Sequence, residues 1–157
     1  FRSELAELRG EQVLYVHNTF FPVIPLTYEL GFIFNPKVTF TNLLDGVDLY
    51  RQRTSALPPE KAEQQHKAID YYLDSLEDYI HDNAPAVLII DQSKDRSCTG
   101  EICFETPDYW RYFNKRKRLS ALLQRYEHTN TIVARSGEVR FAVYRKRVGW
   151  LRRSAFT

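Results

Sequence analysis

The sequence predicts an α/β fold with three layers: a mainly parallel sheet, helices on both of its faces, and an antiparallel hairpin at the C-terminus. Residues 86–90 form an apolar run that is closed by Asp91, which is typical of a strand buried on both faces. Residues 60–82 precede this strand and repeat apolar side chains at the spacing of one helical face. Strand-like and helix-like segments alternate along the chain, which favours the α/β class.

The first half of the chain begins with a predicted strand at 12–17. A helix through 22–30 follows and ends at Gly31, and a short second strand covers 37–40. Pro59 and Glu60 suit the first turn of the long helix, because proline tolerates that position and an acid complements the helix dipole there.

The second half continues from the buried strand into a polar loop over 91–106, which is longer than the usual connection. We expect Thr106 to cap the next helix, with Pro107 as its first residue. A short helix through 119–123 should follow. Two antiparallel strands at 126–133 and 139–144 end the fold.

Length and composition fit a single globular domain. The chain has 157 residues, of which 43% are hydrophobic and 27% charged, and its apolar runs fall well short of the roughly 20 residues of a membrane span. The chain starts at Phe1 and contains no methionine, so we expect a fragment of a larger protein. We assign residues 1–146 to the domain. For the basic tail, 147–157, disorder and a non-native origin are both open.

Charge is distributed unevenly. Residues 1–100 hold 9 Lys and Arg against 15 Asp and Glu, whereas residues 101–157 hold 13 against 5. Within the basic part, aromatic and cationic residues form a candidate binding surface: Trp110, Arg111, Lys115, Arg116, Lys117 and Arg118. Such a surface could bind phosphates and stack on bases, or face anionic lipid headgroups. The alternative is that the aromatics belong to the core beside a solvated basic turn.

Two further groups of residues are candidates for chemistry. His17, Asn18 and Asp91 lie at the carboxyl ends of predicted strands, where an open α/β sheet binds its ligands. The simpler interpretation of Asp91 is that it caps the turn out of its strand. Cys98 and Cys103 lie in the polar loop with four residues between them, which allows either a small-loop disulfide or two thiols.

Signatures of common enzymes are missing from the sequence. It has no glycine-rich phosphate loop, no Gly-x-Ser-x-Gly turn and no His-Glu-x-x-His motif. His66 and His81 lie on the long helix without a cluster of metal-ligand residues, so we interpret them as surface histidines. We expect no cofactor, no metal ion and no catalytic residue in this chain.

Several segments together resemble a known family. They are a strand and a proline-containing helix start (residues 13–16 and 21–26), the Pro-x-Val-Leu-Ile-Ile-Asp phrase of 85–91, a spaced set of apolar residues (Phe113, Leu119, Leu122, Leu123 and Tyr126), and a last strand reading Phe-Ala-Val-Tyr-Arg at 141–145. This arrangement is similar to the soluble C-terminal domain that follows the membrane helices of bacterial GT-C-type glycosyltransferases. Those polytopic enzymes use polyprenyl-phosphate sugars.

The resemblance implies an accessory domain on the periplasmic or extracellular face of a membrane protein. Its partner would be the transmembrane part of its own parent protein, with a membrane surface as a further contact and nucleic acid as an unfavoured one. The catalytic acids of that family lie between membrane helices, so none is carried over to this chain. An extracytoplasmic location would permit a Cys98–Cys103 disulfide.

Two alternatives remain open from the sequence. The basic C-terminal third could make the chain a module that binds nucleic acid or another polyanion. The strand ends could instead form the site of a small α/β enzyme, with His17, Asn18 and Asp91 as its candidate residues.

Overall fold

The computed structural model contains a mixed four-stranded sheet with helices, which confirms the α/β class. It describes residues 5–17, 29, 31, 33, 58–93, 107–133 and 140–148, together with the backbone of 96–99 and 102–105. The predicted helix at 22–30 and strand at 37–40 lie outside the described residues, apart from isolated positions.

The sheet is built around the predicted buried strand. Strand β1 (Val13–Val16) pairs in parallel with β2 (Val87–Asp91), and the register places Val16 beside Ile90. On its other side β2 pairs antiparallel with β6 (Arg140–Lys146), which in turn pairs antiparallel with β5 (Tyr126–Val133). The strand order is β1-β2-β6-β5, so one of these three pairings is parallel.

Helix α1 (Pro59–Asn83) agrees with the long helix predicted from the sequence, and its buried positions are six of its apolar and aromatic residues. Pro59 occupies the helix start and Glu60 the first turn. The helix ends at Ala84, whose left-handed backbone (φ 42°) is a conformation that more often selects glycine. Ala84 N–H still donates to the Ile80 carbonyl at 3.0 Å, which closes the last turn before β2.

Two short helices follow β2 in the chain: α2 (Tyr109–Phe113) and α3 (Lys117–Leu123). The structure corrects the predicted cap of α2. Asp108 is the N-cap, and its carboxylate accepts the Arg111 N–H at 3.3 Å. The helix therefore begins two residues later than Pro107, because an aspartate next to the first turn supplies the acceptor that a cap requires.

The predicted polar loop contains a separate two-stranded hairpin. Strands β3 (Arg96–Thr99) and β4 (Ile102–Glu105) pair antiparallel, with two residues between them. Gly100 is the first of these two residues, and glycine at that position is a common hairpin signal. The prediction of a polar loop over the whole of 91–106 was therefore wrong for these eight residues, which form strands.

The side chains of β1 and β2 alternate between two buried clusters. Leu14, Val16, Leu88 and Ile90 pack against α1, α2 and α3. Val13, Tyr15, Val87 and Ile89 lie on the opposite face, in a cluster that also holds apolar residues of β5 and β6 from the same sheet and the N-terminal residues Leu5 and Leu8. Since every residue of β2 is buried, the strand is held from both faces and offers a rigid support for the groups at its two ends.

Candidate functional site

A cavity of about 320 Å³ opens at the carboxyl end of β2. We call it the strand-end cleft. Its walls come from the end of β2 and the start of α2, and they are Ile90, Asp91, Gln92, Ser93, Pro107, Asp108, Tyr109 and Trp110. Ligand sites usually measure roughly 300–1,000 Å³ and combine apolar or aromatic walls with a few polar groups. The cleft has this composition and lies at the small end of that range.

Asp91 forms one wall and is only 5% exposed. Its Oδ1 atom accepts the Ser93 N–H at 2.8 Å and the Ser93 hydroxyl at 2.5 Å. Both bonds span two residues, which is the pattern by which aspartate closes a turn on its own backbone. Asp91 therefore lies at the strand end, as predicted, and it also closes the turn out of the strand.

Ser93 connects this turn to the neighbouring strand. Its hydroxyl oxygen accepts the Arg140 N–H at 3.0 Å, while Gln92 N–H donates to the Arg140 carbonyl at 2.8 Å. The backbone of β6 thus fixes the turn from the side. A network whose members are all satisfied is rigid, so this wall of the cleft should keep its shape when a ligand binds.

The opposite wall comes from the start of α2. Tyr109 is buried, and the indole of Trp110 is half-buried, packed edge-on against Phe113 and Tyr144 at ring-centroid distances of 5.8 and 5.4 Å. The Asp108 side chain is exposed, and one of its oxygens caps the helix. The cleft therefore pairs a fixed aromatic surface with hydrogen-bond acceptors on both sides.

Of the other predicted strand-end residues, His17 follows β1 and is 1% exposed. The parallel register ends with Val16 beside Ile90; one further step along both strands leads to His17 and Asp91, on the face shared by Tyr15 and Ile89. The rings of His17 and Tyr15 meet edge-on at 6.1 Å. His17 does not line the strand-end cleft, and Asn18 lies outside the described residues. The structure thus brings His17 and Asp91 together in the sheet without opening both to one cavity.

The predicted basic-aromatic surface divides into parts with different roles. Its neighbouring aromatics Tyr109, Tyr112 and Phe113 are core residues, and Trp110 is half-buried beside them. The aromatic residues expected to stack on bases are therefore largely committed to packing.

Two of its cations bind the acidic face of α1. Arg116 reaches Asp70 at 2.9 Å and Asp74 at 3.1 Å. Arg118 reaches Glu77 at 3.0 Å and Asp78 at 3.5 Å.

The remaining cations of that surface are Arg111, Lys115 and Lys117, all exposed. The Lys115 ammonium lies 5.7 Å from the centre of the Tyr112 ring, a distance at which a cation and an aromatic face attract each other. Among the described residues, these three cations form no ion pair. Their charge is solvated, and they present no aromatic neighbour that is open for stacking.

The two cysteines face each other in the backbone register. Cys98 on β3 is paired with Cys103 on β4. Directly opposite residues in antiparallel strands have Cα atoms roughly 4.5–5.5 Å apart, and a disulfide spans roughly 4.4–6.8 Å between Cα atoms. The backbone placement is compatible with the disulfide, which stays a prediction.

No group of three or more His, Cys, Asp or Glu side chains in the described ranges is placed to hold a metal ion. Among the helices of those same ranges, none combines the length and apolar character needed to cross a bilayer. His66 and His81 are both exposed on α1, as expected. Comparison with family models, curated proteins and solved structures found no match for this chain.

Among the polar residues that line the strand-end cleft, the sequence interpretation missed Gln92, Ser93 and Asp108. Two signals could have found them. Asp91-x-Ser93 after a buried strand is the spacing of a side-chain-closed turn, and Asp108 is a preferred capping residue just before an aromatic segment. The turn at Asp91 and the cap at Asp108 line the same cavity because of tertiary packing. Neither local sequence signal predicts that packing.

Proposed function

We propose that this chain is a non-catalytic accessory domain of a membrane-embedded, glycosyltransferase-like protein. It would lie on the periplasmic or extracellular face, bind the transmembrane part of its own parent protein, and use the strand-end cleft to hold a sugar acceptor. The proposal includes a three-layer arrangement with helices on both faces of the sheet. The similarity of the sequence pattern to the soluble domain of that enzyme family supports the proposal, and so does the chemistry of the cleft.

The observation that carries the non-catalytic assignment is the bonding of Asp91. Acid–base catalysis needs a carboxyl group within hydrogen-bond reach of a reacting atom, with a pKa tuned to its task. The Oδ1 atom of Asp91 instead accepts two bonds from Ser93 and closes a turn. His17, the nearest candidate base along the sheet, is outside the cleft lining. The cleft is therefore better suited to binding than to proton transfer.

The lining favours a neutral ligand that carries hydroxyl groups. Asp108 and Gln92 are exposed and offer carboxylate and amide groups, while Tyr109 and Trp110 add aromatic surface. A sugar ring supplies hydroxyl donors around its edge and apolar C–H groups on its faces, so it matches both kinds of wall. An anionic ligand would meet the Asp91 and Asp108 carboxylates and be repelled.

Tryptophan fluorescence of the chain carrying Trp150→Phe tests this proposal, because the sequence has two tryptophans and Trp110 then reports alone. Titration with methyl glycosides of hexoses, pentoses and amino sugars should shift the emission for at least one sugar. We expect a dissociation constant in the millimolar range, roughly −4 kcal/mol, as for a small shallow site.

The matched variants are Asp108→Asn and Asp82→Asn. Asparagine caps a helix as well as aspartate does, so Asp108→Asn removes the charge and retains the α2 cap. It should weaken sugar binding about fivefold, whereas Asp82→Asn, at the far end of α1, should not. Transfer of sugar from a polyprenyl-phosphate donor by the chain alone would refute the non-catalytic assignment. A flat titration with every glycoside would refute the acceptor-binding role.

A further inference from the structure

Four of the 13 Lys and Arg residues in the C-terminal third meet at the amino end of β2, opposite the strand-end cleft. Antiparallel pairing brings Arg145 beside Val87, and Lys146 N–H donates to the Ala86 carbonyl at 3.0 Å. Arg147 N–H donates to the Arg125 carbonyl at 2.8 Å. These backbone bonds hold four cations at one end of the sheet, which we call the basic end: Arg125, Arg145, Lys146 and Arg147.

Little in the described residues neutralises the basic end. The one ion pair made there joins Arg147 Nε to Glu127 Oε2 at 4.0 Å, between side chains that are 47% and 58% exposed. Exposed pairs of this kind contribute little. The nearby Asp82 carboxylate is 2.8 Å from the ring of His81. The contrast is with Arg116 and Arg118, whose charge is balanced by four acids of α1.

We propose that the basic end is a docking surface for an anionic lipid bilayer. Cations near an anionic membrane surface are attracted to it, and the attraction accumulates over several side chains. Val148 follows the last of the four cations and is fully exposed, so an apolar side chain lies beside them for contact with the headgroup region.

Nucleic acid fits this surface less well than a bilayer does. Tyr126, the aromatic residue of β5 next to Arg125, is buried, and its hydroxyl donates to the Pro85 carbonyl at 2.8 Å. No aromatic side chain of the described residues is exposed beside the four cations to stack on a base. The four cations also come from a strand end and a turn, whereas a helix or ribbon is what usually enters a groove.

The inference does not depend on what the cleft binds. The two ends of β2 are four residue steps apart, roughly 13 Å at about 3.3 Å per step. Docking through the basic end would therefore leave the strand-end cleft open to the aqueous side. Failure of sugar binding and failure of membrane binding would be separate results.

Co-sedimentation with vesicles tests the inference. The chain should bind vesicles of phosphatidylcholine with 30% phosphatidylglycerol, and it should not bind vesicles of phosphatidylcholine alone. Because screening shortens the reach of exposed charges, binding at about 50 mM salt should be lost at about 500 mM. Inorganic phosphate at matched ionic strength should not displace the chain. Specific displacement would instead identify a phosphate site and overturn the proposal.

Two triple variants with the same change in net charge locate the surface. Arg145→Gln, Lys146→Gln and Arg147→Gln together should weaken binding at least tenfold, since each cation contributes roughly fivefold. The control triple, Arg111→Gln, Lys115→Gln and Lys117→Gln, removes exposed cations from the α2–α3 turn and should bind within twofold of the parent chain. Equal losses in both triples would show that net charge alone acts and would overturn the assignment.

A second variant keeps the test valid if the triple variant of the basic end does not fold. Arg125→Gln with Arg147→Gln changes two exposed side chains whose backbone bonds are retained, and circular dichroism should show unchanged cooperative unfolding. This pair should still lower binding at least fivefold. No binding of the parent chain to phosphatidylglycerol vesicles, or tighter binding to single-stranded DNA or RNA than to these vesicles, would overturn the proposal.

Discussion

The polar groups at the two ends of β2 differ in how far they are hydrogen-bonded within the protein. At the carboxyl end, Asp91 and Ser93 bond to each other and to the Arg140 backbone, so their polar atoms turn inward. At the amino end, one inward bond joins the Tyr126 hydroxyl to Pro85. Of the basic end, Arg125 and Arg147 are exposed, and Arg145 and Lys146 are half-buried. One buried strand thus separates a structured cavity from a solvated, positively charged surface.

The two ends are suited to different kinds of function. A hydrogen-bond network in which every polar group has a partner fixes side-chain positions closely enough to bind a small ligand. Its groups must lose their water to form it. Exposed cations are loosely positioned, and they act through summed charge on a partner that needs no single geometry. The carboxyl end is therefore suited to a shaped ligand and the amino end to an extended anionic surface.

Asp91→Ala should break the carboxyl end and give the largest effect on stability. It leaves the N–H and the hydroxyl of the largely buried Ser93 without their shared acceptor, and bonds to a charged acceptor contribute roughly 1.5–3 kcal/mol. We expect the free energy of unfolding, measured by urea denaturation, to fall by about that amount. The strand-end cleft should also bind sugars more weakly.

Asp82→Ala is the control for that measurement, because it removes an exposed aspartate and should change the free energy of unfolding by less than about 0.5 kcal/mol. Asp91→Asn keeps an acceptor for Ser93, so its loss of unfolding free energy should lie between those of Asp91→Ala and Asp82→Ala. If Asp91→Ala were as mild as Asp82→Ala, the Asp91–Ser93 network would not be what fixes this wall.

Tyr126→Phe tests the amino end and should have a smaller effect. Loss of the hydroxyl leaves the Pro85 carbonyl without that donor and should lower the free energy of unfolding by about 0.5–1.5 kcal/mol at neutral pH. The fold should be retained, because the ring that packs in the core is unchanged.

The same tyrosine predicts how stability depends on pH. Burial raises the pKa of Tyr126 to about 12, although Arg125 lowers it in part, whereas an unfolded tyrosine titrates near 10. As pH rises, the Tyr126 hydroxyl loses its proton in the unfolded chain before it does so in the folded chain. Its contribution to the free energy of unfolding is therefore complete below pH 10 and decreases as pH rises from 10 to 12. Burial also raises the pKa of Tyr15, Tyr72 and Tyr144, so several groups add to this loss.

Urea denaturation of the parent chain and of Tyr126→Phe between pH 8 and 11.5 checks that dependence. The variant should lose stability less steeply above pH 10, because one of the titrating groups is gone. Identical slopes for the two chains would mean that the Tyr126 hydroxyl titrates in the folded chain as it does in the unfolded one.

The sequence predicted local elements better than the contacts between them. The apolar run at 86–90 and the helical spacing of α1 were sufficient for β2 and α1, because the pattern within each segment determines which side chains can be buried. The bounds of β5 were predicted as the structure has them. Strand direction was harder to predict. The sequence predicted a mainly parallel sheet, whereas one of the three pairings among the described strands is parallel, because the position of β6 beside β2 depends on how the chain returns after α3.

The candidate site shows the same division. Asp91 was predicted at a strand end, and its role in the turn follows from local sequence. Trp110 was grouped with neighbouring cations because they are adjacent in sequence, yet the structure places its ring in the cleft wall. Arg116 and Arg118 instead reach acids of α1 that are 40 or more residues away in the chain. Pairings over such separations are fixed by packing, which residue order alone does not contain.

Arg118→Gln should have the smallest effect on stability. The Arg118 guanidinium is 55% exposed and pairs with Glu77 and Asp78, so its loss should lower the free energy of unfolding by about 0.2–1 kcal/mol. Arg147→Gln removes the same charge from the basic end, where the Arg147–Glu127 contact at 4.0 Å is the one ion pair among the described residues.

The two variants should differ in vesicle binding rather than in stability. Arg118 is already balanced by acids of α1, so its loss should leave phosphatidylglycerol binding within twofold, whereas Arg147→Gln should weaken binding several-fold. Because both lower the net charge by one, a shared loss would trace membrane attraction to the overall charge of the chain. A loss confined to Arg147→Gln would trace it to the end of the sheet at which the cations have few partners.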